Sequence, residues 1–296
     1  MIQQSIDLKD LNSWKVGGRA EHFCQPGNVD EVRQALEWAK ENKVKVTPLG
    51  GGTNVLVSDQ GISGLVLQTK KLKGVAEVLT TDRLELTVLA GTPKFELMRA
   101  FMKHRLSPAL FLSGLPGDVG GGVVMNAGVR EKREPREFCE IVDWFEVIPF
   151  DRPDQVVRYS KDQVQWVYRK STGWDPGVIV RVGCSWPMQP IPTLPKEIKA
   201  ANELRKSKQP LEWPSCGSTF KNPSPELSAG QLIDQCGLKG FQVGDAQVSP
   251  KHANFLINLG QATATDVSNL IQHIQERVKS EKGVELQTEV RRLGEW

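Results

Sequence analysis

Apolar residues recur at helical spacing soon after the chain begins. Val32, Leu36 and Ala39 share one face, behind an Asn28 whose side chain can cap the first turn with Glu31 three positions on. Extended runs follow at 44–49, 65–69 and 83–90. Thr92-Pro93 then opens a second helix, proline being tolerated in a first turn. Residues 141–150 and 178–186 read as further strands. Pro187, Pro190, Pro192 and Pro195 come too densely to continue a helix or a central strand and predict a linker over 187–195. Beyond it, Ser228 with Gln231 caps a short helix ended by Gly237. Residues 253–259 predict a strand. Val267, Leu270, Ile271, Ile274 and Val278 mark one face of a helix ending near Gly283, and 286–293 predict a last strand. No fixed-period repeat interrupts this order. The pattern is that of an α+β protein of more than one unit.

Composition narrows the function. The chain has 296 residues, 25% of them charged and 39% hydrophobic, an ordinary globular profile. A formal net charge of +3, with no basic block, gives no nucleic-acid footprint. The opening Met1 to Asp10 lacks the apolar core of a signal peptide, and no run approaches the roughly 20 apolar residues that span a bilayer. Cys24, Cys139, Cys184, Cys216 and Cys236 are scattered, with no Cys-x-x-Cys pair. That argues against a disulfide framework or a metal site and predicts a cytoplasmic protein.

Two glycine clusters carry the first chemical signal. One reads Pro48-Leu49-Gly50-Gly51-Gly52-Thr53-Asn54-Val55. The other runs from Gly114 to Gly128 as GLPGDVGGGVVMNAG. No Gly-Lys pair occurs, which excludes a P-loop. In a Gly-x-Gly-x-x-Gly frame the third glycine falls on Val55 or Met125, and the residues after each cluster look extended rather than helical, unlike a Rossmann turn. Two readings stay open: amide nests that grip an anion, such as the phosphates of a dinucleotide, or tight turns that favour glycine for steric reasons.

The second part holds a polar cluster, Ser215-Cys216-Gly217-Ser218-Thr219-Phe220-Lys221-Asn222-Pro223, in which Ser218 and Lys221 flank one apolar anchor. Tyr168-Arg169-Lys170-Ser171 and Thr288-Glu289-Val290-Arg291 are further polar groupings. By themselves Arg169 reads as a surface charge and Glu289 as the solvent face of a strand.

Taken in order, these pieces resemble one family. They are Asn12 to Ala20, Pro48 to Val57, Gly114 to Gly128, the Tyr168-Arg169-x-Ser171 pattern, Gly217 to Pro223, Ala229 to Gly240, His252-Ala253-Asn254-Phe255 and Glu289-Val290-Arg291. The chain is similar to UDP-N-acetylenolpyruvoylglucosamine reductases (MurB) of the shorter subtype, whose substrate domain lacks an inserted tyrosine-bearing loop. The resemblance implies an FAD-binding domain of the vanillyl-alcohol-oxidase (PCMH) type over 1–187, in α+β subdomains of about 1–70 and 71–187. A substrate-binding α+β domain over 196–296 follows. It implies that Gly50, Gly51, Gly52, Thr53, Asn54, Gly114, Pro116, Gly117, Gly120 and Asn126 hold FAD. NADPH is the implied co-substrate and the enolpyruvyl ether of UDP-N-acetylglucosamine the implied nucleotide-sugar substrate. Hydride passes from NADPH to FAD N5 and on to substrate C3, giving UDP-N-acetylmuramate for peptidoglycan synthesis. Arg169 and Glu289 stabilise the enolate, Ser218 gives the proton to C2, and Lys221, Asn222 and His252 bind substrate or position Ser218. The resemblance brings no nucleic acid, membrane insertion or obligate protein partner with it.

The chain departs from the family pattern twice. Asp118 stands where a small or hydroxyl residue is usual. Two unit charges about 8 Å apart interact by roughly 2 kcal/mol at an effective dielectric of 20, so a carboxylate facing the pyrophosphate weakens cofactor binding unless it is compensated. After Gly128, the usual glycine-rich segment is replaced by the charged stretch Val129 to Glu137, which either removes cofactor contacts there or brings an arginine to the pyrophosphate that offsets Asp118. These departures keep two alternatives in view: another flavin oxidoreductase on the same fold, and a non-catalytic UDP-sugar-binding paralogue with a degraded flavin site.

Overall fold

The computed structural model describes residues 2–129 and 134–296. Helices and strands are mixed throughout, as an α+β fold requires. Two compact units form, each from separated stretches. The first is built mainly from His22–Gly51 and Gly64–Leu204, the second from Gln4–Glu21, Gly52–Ser63 and Arg205–Trp296. The units are therefore interleaved along the chain. The proline-rich stretch ends early, because Leu194–Lys208 is a helix carrying Pro195 in its first turn, where proline is tolerated.

The first unit is organised around a five-stranded antiparallel sheet. Its order is Val75–Leu79, Arg83–Leu89, Gly177–Pro187, Val142–Pro149, Val157–Ser160. The central strand, Gly177–Pro187, feeds two cores. Val178 and Val180 pack with Val32, Leu36 and Ala39 of the helix Val29–Glu41. Ile179, Val182 and Cys184 pack with Leu97, Phe101, Phe111 and Phe138. Strict alternation cannot give that set, since 179 is odd and 182 and 184 are even. An irregularity in register between Ile179 and Arg181 inserts the extra residue that flips the phase. Beside this sheet, Val46–Leu49 pairs in parallel with the end of Ile62–Gln68, and the Asn28 side chain accepts the Glu31 amide at 2.8 Å to start its helix.

The second core receives three short helices, Lys94–Lys103, Pro108–Ser113 and Val119–Val124. The last of these corrects the sequence reading. The glycine- and valine-rich run after Asp118 is helical, not extended, because the Asp118 side chain caps it by accepting the Gly121 amide at 3.0 Å.

In the second unit, the meander Gln242–Val243, Ala246–Val248, Leu256–Asn258 packs with the helices Ala229–Gln235 and Ala264–Lys282. Val267, Leu270, Ile271, Ile274 and Val278 are all buried, and Gly283 ends the long helix at φ 67°. Asp59 reinforces the start of that helix, accepting from the Ala264 and Thr265 amides at 2.8 Å each. Trp14, fully buried in this core, donates its indole N–H to Leu256 O at 2.7 Å. The expected last strand shrinks to Arg291–Leu293, which pairs in parallel with Val55–Val57. Glu289 thus lies in a bend before the strand, just after the bridge between Thr288 and Phe220, with its amide donating to Thr219 O at 2.8 Å.

Candidate active site

In the first unit the two glycine clusters meet. Asp118 is 5% exposed and its carboxylate lies against Gly50, where an added Cβ would sit 2.5 Å from Oδ2. An added Cβ at Gly122 would fall 2.5 Å from the Phe138 ring. Part of the glycine content is therefore demanded by the protein's own packing. Gly114, Pro116 and Gly117 shape the turn that leads into the capped helix, and Gly120 lies in its first turn, where an added Cβ would sit 3.0 Å from Ala90 Cβ. The Gly120 amide is taken by Ala90 O at 2.8 Å and so is not open to a ligand.

Asn126, fully buried at φ 37°, spends its side chain internally. Nδ2 donates to Glu137 Oε2 at 2.9 Å and to Val167 O at 3.2 Å, and Oδ1 accepts from the Cys139 amide at 3.0 Å. It is a bracket, and what it braces is the turn carrying Arg169. Val167 pairs with Lys170 in a two-stranded hairpin, so Tyr168 and Arg169 form the loop. Arg169 takes φ 58°, which costs a non-glycine residue about 1 kcal/mol and is typical of functional turns. Its guanidinium donates to Gly128 O at 2.8 Å and lies 4.7 Å from the Tyr168 ring centre.

The charged stretch after Gly128 does not supply the expected compensation from the residues described. Arg130 and Arg133 lie outside the described residues, and Arg136 pairs with Glu134 at 3.3 Å. Among the described residues a cation does lie near Asp118: Lys94, a residue that no sequence signal singles out. It is buried and donates to Pro116 O at 2.8 Å.

In the second unit, Ser218 is bridged to Phe255, and the Thr219 amide donates to Asn254 O at 2.8 Å. Asn254, 4% exposed, clamps Phe220 from both sides, Oδ1 accepting its amide and Nδ2 donating to its carbonyl, each at 2.9 Å. On the other edge Thr219 O accepts the Glu289 amide at 2.8 Å, and the Lys221 amide donates to Gln287 O at 2.9 Å. Asn54 Nδ2 donates to Glu289 O at 3.1 Å. Ser218, Lys221, Glu289 and Asn54 thus share one scaffold, with Ser218 and Glu289 half-buried. Asn222 commits Oδ1 to the Ala229 amide at 3.1 Å, a helix-start contact. His252 accepts the Asn254 amide on Nδ1 at 3.3 Å. Burial holds its imidazole below the usual value, which keeps it neutral and suited to that acceptor role. Asn254 is the residue missed by sequence reasoning, although it stands inside the His252-to-Phe255 motif.

Cys216, two positions before Ser218, is 5% exposed, and burial pushes its thiol up to about 12. It contacts Val55 O at 3.4 Å. Iodoacetamide at pH 8 is expected to leave Cys216 unmodified in the folded protein and to label it in urea, as peptide mass mapping would read. Among the described residues no group of three or more His, Cys, Asp or Glu side chains is placed to hold a metal ion, and no helix is long and apolar enough to cross a membrane.

Comparison with known proteins places this architecture. Residues 20–151 match the family model described as FAD binding domain, and fold and site together define a flavin-dependent oxidoreductase. Residues 209–293 match the C-terminal domain of UDP-N-acetylenolpyruvoylglucosamine reductase. The chain is 39% identical to the UDP-N-acetylenolpyruvoylglucosamine reductase of Synechococcus elongatus, covering 100% of this chain and 95% of the relative. It is 37% identical to that of Desulforamulus reducens, over 99% of this chain and 94% of the relative. The crystal structure of the Thermus caldophilus reductase superposes with a TM-score of 0.78 at 31% identity, covering 99% of this chain and all of that one. The chain belongs to the UDP-N-acetylenolpyruvoylglucosamine reductase family. It is an FAD-containing reductase of peptidoglycan precursor synthesis with NADPH as reductant.

The first unit's residues fit the flavin cofactor. The buried Asp118 Oδ2 has no hydrogen-bond partner among the described residues, and Lys94 brings a positive charge close to it. A cofactor carrying hydroxyl donors answers the open acceptor at Oδ2, and the Lys94 charge keeps the Asp118 carboxylate from opposing a pyrophosphate.

Proposed function

We propose that Arg169, Ser218 and Glu289 carry the reduction of the enolpyruvyl ether of UDP-N-acetylglucosamine to UDP-N-acetylmuramate. Gly50 to Asn54 and the turn from Gly114 to Gly117 hold the cofactor. FAD, when bound, supplies the hydride, taken from NADPH and delivered to C3 of the enolpyruvyl group. Arg169 pairs its planar fork with the substrate carboxylate and follows the charge that grows there. The Ser218 hydroxyl gives its proton to C2. A serine is a poor acid in water, but an enolate carbon is basic enough to accept from it, and a positioned donor contributes roughly 10²–10⁴ in rate. An ionised Glu289 would repel the developing charge, so it acts protonated or by orienting another donor. Lys221 is a substrate contact. Asn222 and His252 serve through the helix start and the Asn254 clamp that fix the Ser218 segment.

The observation that carries this reading is the scaffold around Thr219. One residue's backbone pairs with Asn254 on one edge and with Glu289 on the other, which fixes a proton donor and a carboxyl on adjoining chain. The five cysteines stand free, which supports a reducing cytoplasm.

The visible absorbance spectrum of the purified protein tests the reading. A flavin spectrum that bleaches under NADPH without oxygen, and returns on adding the enolpyruvyl nucleotide, is the expected result. A protein that stays colourless when supplied with FAD would overturn it. A flavin that bleaches but is not reoxidised by the nucleotide would leave another flavin oxidoreductase on this fold.

A further inference from the structure

A buried acid in a wall expected to face a pyrophosphate needs an explanation, and its surroundings give one. Asp118 and Lys94 are each only 5% exposed. Backbone pairing sets them side by side: Pro93 bridges Asp118, the Lys94 amide donates to Gly117 O, and the Val119 amide donates to Thr92 O, the last two at 2.9 Å. The Lys94 ammonium donates to Pro116 O at 2.8 Å and lies 5.9 Å from the Phe138 ring centre. Asp118 Oδ1 takes the Gly121 amide, while Oδ2 faces Gly50 without a hydrogen-bond partner among the described residues. Lysine and aspartate are almost never this buried unless a charge partner holds them there.

We propose that Lys94 and Asp118 are a matched positioning pair for the cofactor cradle: Lys94 cancels the negative charge that Asp118 sets in the cradle wall, and Asp118 joins the Gly50-Gly51 loop to the Gly120-Gly121 turn. The inference rests on the reading of the two glycine loops as the FAD cradle. Each partner suits the other. Burial raises the Asp118 carboxyl and lowers the Lys94 ammonium to about 8, and in each case the partner's charge opposes the shift. Neither group is well placed alone, so the pair answers for a departure from the family pattern that either residue by itself leaves unexplained.

The test is FAD titration, followed by flavin fluorescence, into the deflavinated parent and into K94M, D118N and the K94M/D118N double variant. Asparagine keeps the helix cap while removing the charge. An uncompensated unit charge about 8 Å from a phosphate corresponds to about thirtyfold in affinity at an effective dielectric of 20. K94M is therefore expected to bind FAD about thirtyfold more weakly than the parent. The double variant should return to within about threefold of the parent, a rescue that a merely structural lysine would not show. K94M binding as tightly as the parent, or a double variant as weak as K94M, overturns the pairing. Should K94M fail to fold, D118N decides: with Lys94 left uncompensated, tighter FAD binding supports the proposal and weaker binding overturns it. A parent that binds no FAD removes the reading of the loops and the inference with it. A parent that binds, with variants that do not differ, removes the inference alone.

Discussion

Replacing Ser218 by alanine is expected to lower turnover of the enolpyruvyl nucleotide by roughly 10²–10⁴-fold, the usual worth of a positioned proton donor. The rate at which NADPH bleaches the flavin should not change. The split follows from where Ser218 stands. Its segment is fixed through backbone groups, the bridge to Phe255 and the Thr219 pairing with Asn254 and Glu289, none of which uses the serine hydroxyl. Removing that oxygen leaves the scaffold intact and takes away only the proton proposed to pass to C2. Rapid-mixing absorbance separates the two half-reactions: reduction by NADPH at the parent rate, reoxidation by substrate slowed by the factor above. Parent-like reoxidation in the variant would show that the proton comes from elsewhere.

Trp14→Ala is expected to lose about 3–5 kcal/mol of stability, the range for truncating a large aromatic in a packed core. Trp14 is fully buried among residues such as Leu56, Leu256 and Ile271 of the second unit. Its indole N–H also satisfies Leu256 O, so truncation leaves a buried carbonyl unpaired. Trp14→Phe keeps most of the volume and should lose less, about the 1–3 kcal/mol of the orphaned acceptor. Urea unfolding measures both as shifts in midpoint. Equal losses for the two variants would mean that the hydrogen bond, not the packing, dominates. No loss in either would mean that the 4–21 segment does not anchor this core.

How much of the molecule is legible in its sequence depends on how local each feature is. The helix behind Asn28, the short helix behind Ser228 and the long helix stopped by Gly283 announce themselves through caps and 3.6-residue spacing within a few residues. The central strands of the five-stranded sheet are long, apolar runs and are equally plain. The helix Val119–Val124 is not, because three glycines and three valines carry low helix propensity and only the Asp118 cap with its packing turns them. The place of Trp14 is hidden for another reason: its partner is 242 positions away. Lys94 looks like a surface charge at a helix start, and only the chain folding over it shows otherwise. For the site, composition and spacing go no further than anion nests or turns. Arg169, Ser218 and Glu289 come from family resemblance, and the structure adds what braces them, Asn126 for the first and Asn254 for the second.

The parallel pairing of Val55–Val57 with Arg291–Leu293 fixes an order of events during protein synthesis. By the time residue 204 leaves the ribosome, every stretch of the first unit has been made. The strand at 55–57 emerges early and waits for a partner more than 230 residues downstream, which at about 5–20 residues per second is a delay of roughly 10–50 s. Until then Trp14 and Leu56 are apolar surface without a core to enter. The nascent chain thus carries a complete first unit and an unfinished second one, and the Thr219 scaffold that joins Ser218 to Glu289 closes only after residue 289 has been added.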